Sequence, residues 1–176
     1  MAQNTTQITG SVQLQGFLGT CPAALPRTVT FVATGAGPGL PKTWTLPIVT
    51  GPGGTYSYTL TDVPAGTVNL SAKTAWTLRR RLATGVVGCA TVVDFTGAAG
   101  QLKGGDLTGD NIVNLPDYSS IAANFGKCSV IGGPPCGTCA IATPAAAVAD
   151  INGDGTVNVL DYSILASNWF TTGDPQ

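Results

Sequence analysis

The stretch DLTGDNIVNLPD at residues 106–117 returns at residues 150–161 as DINGDGTVNVLD. Extended through YSSIAANF (118–125) and YSILASNW (162–169), the two copies are identical at ten of twenty aligned positions. Asp recurs at positions 1, 5 and 12 of each copy, Gly at position 4 and Asn at position 9. Six of the nine acidic residues of the chain lie in these two segments. Crowding them is unfavourable unless a positive group joins them. At an effective dielectric of about 20, two like charges 4 Å apart repel by roughly 4 kcal/mol.

Position for position, this is the spacing of a calcium loop of the EF-hand kind. Calcium takes six to eight hard oxygen ligands at about 2.3–2.6 Å, and a tight loop aims alternate side chains at one point. The expected ligands are Asp106, Thr108, Asp110, the Ile112 carbonyl, Asn114 and Asp117 in the first loop. In the second they are Asp150, Asn152, Asp154, the Thr156 carbonyl, Asn158 and Asp161. Two Ca²⁺ ions are therefore expected, with metal binding linked to folding. Position 6 must turn with positive φ; Gly155 does so freely, and Asn111 is the non-glycine best suited to it. On that ground the second loop should bind more tightly.

A short helix is expected behind each loop, roughly over 116–125 and 160–169. Ile121 with Phe125, and Leu165 with Trp169, form the i, i+4 apolar pairs by which two helices pack together. Gly104-Gly105 leads straight into the first loop, leaving no room for an entering helix. A loop–helix (F-hand) unit used twice without entering helices, with D-x-[NT]-x-D-x-x-V-N-x-x-D-Y-S in both copies, resembles a type I dockerin domain over residues 104–173. The resemblance implies a calcium-dependent docking module whose partner is a cohesin domain. It places partner-facing side chains at loop positions 10 and 11: Leu115 and Pro116, then Val159 and Leu160. Members of that family often carry Ser/Thr pairs there, whereas these four are apolar, which points to an apolar contact. The competing reading is that they pack within the module. Near-symmetry of the repeats would let either helix face the partner.

The repeats are separated by an insertion at 126–149 holding Cys128, Cys136 and Cys139. Three cysteines without histidine make an incomplete zinc site. One local disulfide, with the third thiol free or bonded to another chain, fits better.

Before the loops the chemistry changes. The first 103 residues hold seven bases against two aspartates, and the last 73 hold one base against seven aspartates. A net charge of −1 thus hides a positive half and a negative half. Period-2 alternation recurs at residues 8–14, 29–33, 44–48, 56–60, 68–72 and 78–82, followed by an apolar run at 90–95. With Gly/Pro turns between them, these seven segments predict an antiparallel β-sandwich over 7–98. ITGSV (8–12), GGTYSY (53–58) and VPAGTV (63–68) resemble the pattern of carboxypeptidase-regulatory-like (transthyretin-like) sandwiches, which are non-catalytic extracellular modules. Trp44, Tyr56, Tyr58 and Trp76 are read as core and cross-strand aromatics, Arg79-Arg80-Arg81 as an edge strand, and Cys21 with Cys89 as a disulfide across the sandwich.

The fold class is thus mainly β with a small α module. The chain has no histidine and no glutamate, which excludes Ser-His-Asp and Cys-His catalysis and glutamate glycosidase pairs. It is read as a non-enzyme, extracellular or at the cell surface, attaching to a cohesin-like protein through calcium. Two alternatives stand beside this. One is a surface filament or surface-layer subunit joined head to tail to copies of itself. The other is the docking region of a larger polysaccharide-degrading enzyme. No nucleic-acid partner and no membrane insertion are expected.

Overall fold

In a computed structural model, residues 6–18, 27–48, 54–85, 90–129 and 143–176 are described. Among these residues seven strands appear, six where alternation predicts them and the last in the apolar run: β1 (Gln7–Gln13), β2 (Thr28–Gly35), β3 (Lys42–Pro47), β4 (Thr55–Leu60), β5 (Thr67–Lys73), β6 (Arg80–Ala83) and β7 (Ala90–Val92). They form two sheets, ordered β4-β1-β7 and β3-β2-β5-β6. Phe31, Tyr58 and Phe95 meet between the sheets, with ring centroids 4.4–6.4 Å apart. Trp76 is buried with them in one core, and Trp44 and Tyr56 pack against its edge. Gly10 in β1 is required by close approach, because a Cβ there would lie 1.9 Å from the Val93 carbonyl oxygen.

One pairing departs from the antiparallel expectation: β7 runs parallel to β1. The parallel course continues through Val12 beside Phe95 and Leu14 beside Leu102. Both segments must leave the sandwich at the same end, where the loops sit, and antiparallel pairing would send one of them the other way. The chain then enters the loop region already stitched down. Leu78 N donates to Lys103 O (2.8 Å) and Gly105 N to Trp76 O (2.9 Å).

Among the described residues four helices follow: α1 (Gly97–Gly100), α2 (Leu115–Asn124), α3 (Pro144–Ala149) and α4 (Val159–Ser167). Helices α2 and α4 are those predicted behind the loops. The two repeats interlock through matching backbone bonds. Gly126 N donates to Val157 O (2.8 Å) as Phe170 N donates to Val113 O (2.9 Å). Likewise Val157 N donates to Lys127 O and Val113 N to Thr171 O, both at 2.9 Å.

Two expectations are corrected here. Helix α3 ends where Asp150 begins, so the second loop does have an entering helix. Its signal was present: Thr143 caps it, its hydroxyl accepting from Ala146 N (3.1 Å), and Pro144 with three alanines follows. Second, Phe125 does not pair inward with Ile121. Ile121 is buried but Phe125 is 57% exposed, because α2 stops at Asn124 and the chain turns away. Buried Val113, Ile121, Ile151, Val157 and Leu165 belong to the same hydrophobic cluster as the sandwich interior. Cys128 is disulfide-bonded, whereas Cys21, Cys89, Cys136 and Cys139 lie outside the described residues.

Candidate metal loops and the helical face

Both loops are built on one hydrogen-bond plan. At position 1, Asp106 Oδ1 accepts from Gly109 N (2.8 Å) and Oδ2 from Asn111 N (3.0 Å). Asp150 repeats this with Gly153 N (2.9 Å) and Gly155 N (3.1 Å). At position 5, Asp110 Oδ1 accepts from Ile112 N (2.9 Å) and Asp154 Oδ1 from Thr156 N (3.0 Å). At position 12, Asp117 accepts from Thr108 N and Asn114 N, both at 2.8 Å. Asp161 accepts from Asn152 N (3.0 Å) and Asn158 N (2.8 Å). The position-12 aspartate is also residue N3 of the following helix, closing it onto the Asn at its N-cap. Position 6 has positive φ in both loops, +71° at Asn111 and +96° at Gly155.

Among the described residues no three acidic or cysteine side chains converge as a ready-made metal cluster, because the aspartate oxygens turn to these backbone amides. The residues nonetheless fit a hard divalent cation. Asn114 Oδ1, at position 9, is buried without a hydrogen-bond partner, an acceptor that a cation would satisfy. In the second loop Asn152 Nδ2 and Asn158 Nδ2 donate to Asp154 Oδ2 (2.9 and 3.0 Å), while their Oδ1 atoms accept from Asp154 N (3.0 Å) and Leu160 N (2.7 Å). Asp106, Asp117, Asp150 and Asp161 are buried. Burial pushes the Asp161 carboxyl up to about 6, against its backbone hydrogen bonds. Burial also raises Asp150, opposed first by the Ser129 hydroxyl that donates to it and then by Arg27.

Sequence reading missed the groups that approach from the sandwich. Lys73, at the end of β5, donates to Asp106 Oδ2. Arg27 Nη2 donates to the Asp150 carbonyl (3.0 Å) and to its Oδ2 (3.3 Å). The Arg27 guanidinium carbon lies 5.0 Å from the Phe17 ring centroid and 4.8 Å from that of Trp76. The opposite charges of the two halves were the available signal, since they meet at these contacts. Asn111 adds another: its Oδ1 accepts from Arg79 N (2.7 Å) and its Nδ2 donates to Asp174 O (3.1 Å). Asp174 in turn accepts from Arg80 Nη1 (3.1 Å) and Arg81 N (2.7 Å), lining the chain end along edge strand β6.

The four partner-facing candidates are solvent-exposed, so the reading that they pack within the module fails. Leu115 is 63% and Val159 62% exposed, and Pro116 and Leu160 are exposed beside them. Between α2 and α4, Tyr118 and Tyr162 meet edge to face at 6.0 Å. A groove lies on either side of this pair, of about 400 and about 380 Å³. Leu115, Ala166 and Trp169 line one; Val159, Ala122 and Phe125 line the other. The repeat alignment exchanges these residues one for one, while Ile121 lines the second groove without a counterpart in the first.

Residues 104–168 match the family model of the dockerin type I domain. The match covers the loop–helix repeats, the dockerin-like part of the chain. The fold of the whole is similar to a chain in two crystal structures of a type II cohesin–X-dockerin complex from Acetivibrio cellulolyticus, one an N-terminal and one a C-terminal interface mutant. In each case the identity is 23%, the TM-score 0.63, and 96% of this chain and 97% of that chain are covered. The likeness is one of fold, and it includes the strands ahead of the dockerin-like part. No curated protein matches the chain.

Proposed function

We propose that this chain is a non-catalytic, calcium-dependent attachment module that presents α2 and α4 to a cohesin-like domain at a cell surface or outside the cell. One observation carries the reading: the segment matching the dockerin type I domain presents exposed Leu115, Tyr118, Val159 and Tyr162 on the face formed by those two helices. Asp106, Thr108, Asp110, the Ile112 carbonyl, Asn114 and Asp117 would hold one ion. Asp150, Asn152, Asp154, the Thr156 carbonyl, Asn158 and Asp161 would hold the second. Calcium would supply the positive charge that lets three carboxylates share each turn. The position-12 ligand belongs to the helix, so filling the loop sets the attitude of the face beside it.

Leu115, Pro116, Val159 and Leu160 would form the rim of the contact, with Tyr118, Tyr162 and Trp169 between them. Tyrosine and tryptophan surfaces suit such a contact because they bury large area at little conformational cost. The sandwich is read as a carboxypeptidase-regulatory-like support. Two solved relatives of this fold come from cohesin complexes, which makes cohesins the first partners to try. Charge complementarity lends less weight to head-to-tail self-assembly, because Lys73–Asp106, Arg27–Asp150 and Arg80–Asp174 use it within one chain.

The test is calorimetric titration of the chelator-treated chain with Ca²⁺, then capture on immobilised type I and type II cohesins with calcium or chelator. Two binding events and calcium-dependent capture are expected. Capture that persists in chelator, or no heat at millimolar calcium, would overturn the proposal.

A further inference from the structure

The two loops share one feature that their spacing does not require. Each position-1 aspartate, buried in the loop, is bonded by a cation from the sandwich: Asp106 by Lys73, Asp150 by Arg27. These aspartates are the residues on which each loop closes, since they gather the amides at positions 4 and 6. A carboxylate buried without a counter-charge is strongly destabilising. An isolated pair of loops would have to find that charge in the divalent ion alone.

We infer that Lys73 and Arg27 are built-in counter-cations. They hold the loops closed against the sandwich when no divalent ion is bound, and they oppose the ion when it enters. The inference rests on the calcium reading above and deepens it: the sandwich sets the calcium affinity of the loops it supports. Electrostatics fixes the sign. A resident positive charge in contact with a ligand carboxylate neutralises part of the field that attracts Ca²⁺ and repels the ion directly. Removing that charge therefore strengthens calcium binding while weakening the ion-free fold.

The two cations differ in how firmly they are held. Arg27 is nearly buried, stacked on Phe17 and Trp76, and bonded to both the backbone and the side chain of Asp150. It cannot swing aside when an ion arrives. Lys73 is a flexible ammonium, more exposed, that also donates to the Thr77 carbonyl (2.9 Å) and can retreat to it. The second loop therefore feels its cation more strongly than the first.

The test uses the full chain and calcium itself, with Lys73→Met, Lys73→Arg and Arg27→Met. Melting is followed in chelator and in saturating Ca²⁺, and calcium affinity by calorimetry. In chelator both Met variants should melt below the parent, and in calcium the difference should close. One site should gain about tenfold in affinity in Lys73→Met, and more in Arg27→Met. Lys73→Arg keeps the charge and should follow the parent in both readouts. A Met variant that loses as much stability with calcium as without it, or stays unfolded in both, makes the contact merely structural and overturns the inference. So does unchanged calcium affinity. If the parent takes up no calcium, the docking proposal falls by itself, and the counter-cation role is then judged by the chelator melts: equal melting of parent and Met variants sinks it.

Discussion

The two loops carry the same bonds in the same order, yet they live in different surroundings. Thr108, Gly109 and Asp110 of the first loop are exposed to solvent, whereas Asn152, Gly153 and Gly155 of the second are buried. The difference comes from the sandwich. Leu18 N donates to the Asn152 carbonyl (2.7 Å), the Phe17 ring leaves no room for a Cβ at Gly153, and Arg27 covers Asp150. The first loop instead meets the sandwich through Lys73 and through Asn111 on the backbone of Arg79. A duplicated motif therefore need not mean duplicated behaviour. The position-1 and position-12 carboxylates are buried in both copies; what differs is how far the rest of each turn is covered by the sandwich.

The most severe way to probe the comparison is to remove the position-12 carboxylate from each copy. Asp117→Ala strips the Leu107, Thr108 and Asn114 amides of their acceptor, Asp161→Ala those of Asn152 and Asn158, and each deletes a helix-capping group. Each should cost about 3 kcal/mol of stability and abolish one calcium-binding event. Asp161→Ala should be the worse, because the Asn152 amide it orphans is buried whereas Thr108 is exposed. Denaturant melts and calorimetry on both variants would show it, and equal losses would mean that the burial difference has no energetic weight.

Next in size is partner binding. The grooves beside Tyr118 and Tyr162 are exchanged by the repeat, so a partner that seats on one should be able to seat on the other after a half-turn. Leu115→Asp with Pro116→Asp, or Val159→Asp with Leu160→Asp, should each lower affinity only about twofold. All four together should lower it about a hundredfold. If one pair alone abolishes capture, the two sides are not equivalent, and the covered second loop would be the place to look for the reason.

Acidity acts on the second loop through two of its carboxyls. Asp161 is pushed up to about 6 by burial, and Asp150 is raised in the same direction. A carboxyl whose folded pKa lies above its unfolded value stabilises the fold most below about 3.8, and that contribution is lost as pH rises through about 6. The ion-free chain should therefore gain from these two groups on acidification from pH 7.5 to 5. Calcium needs the ionised forms, so the second loop should lose about tenfold in affinity per pH unit below 6. Melting in chelator and titration at both pH values test the opposed signs.

What could be read from the chain, and what could not, follows from how far each feature reaches. Calcium spacing, the strands and the helices behind the loops are local patterns of 2, 3.6 or 12 residues. The parallel course of β7 beside β1 is not local, since it depends on which end of the sandwich the loops occupy. The partners of Asp106 and Asp150 lie 33 and 123 residues away along the chain. Only the bulk separation of charge hinted at them. Phe125 was misread because i, i+4 spacing assumes a helix that continues, and α2 ends one residue earlier. Helix α3 was legible but passed over, its capping threonine and proline lying inside a cysteine-bearing insertion.

The smallest effect concerns position 6, where backbone freedom alone favours glycine. By that criterion Asn111→Gly should improve the first loop, because it relieves a φ of +71°. The tertiary contacts argue the other way. The Asn111 side chain bonds the Arg79 amide and the Asp174 carbonyl, and its own carbonyl accepts from Gly173 N (2.9 Å). It therefore ties loop, edge strand and chain end together. Losing two side-chain hydrogen bonds at about 1 kcal/mol each outweighs the few tenths gained in φ, so the variant should be less stable by about 1.5 kcal/mol. The loss should be equal with and without calcium, since neither bond touches an expected ligand oxygen. A more stable variant would mean that the two Asn111 side-chain bonds add nothing to the hold of the first loop on the sandwich.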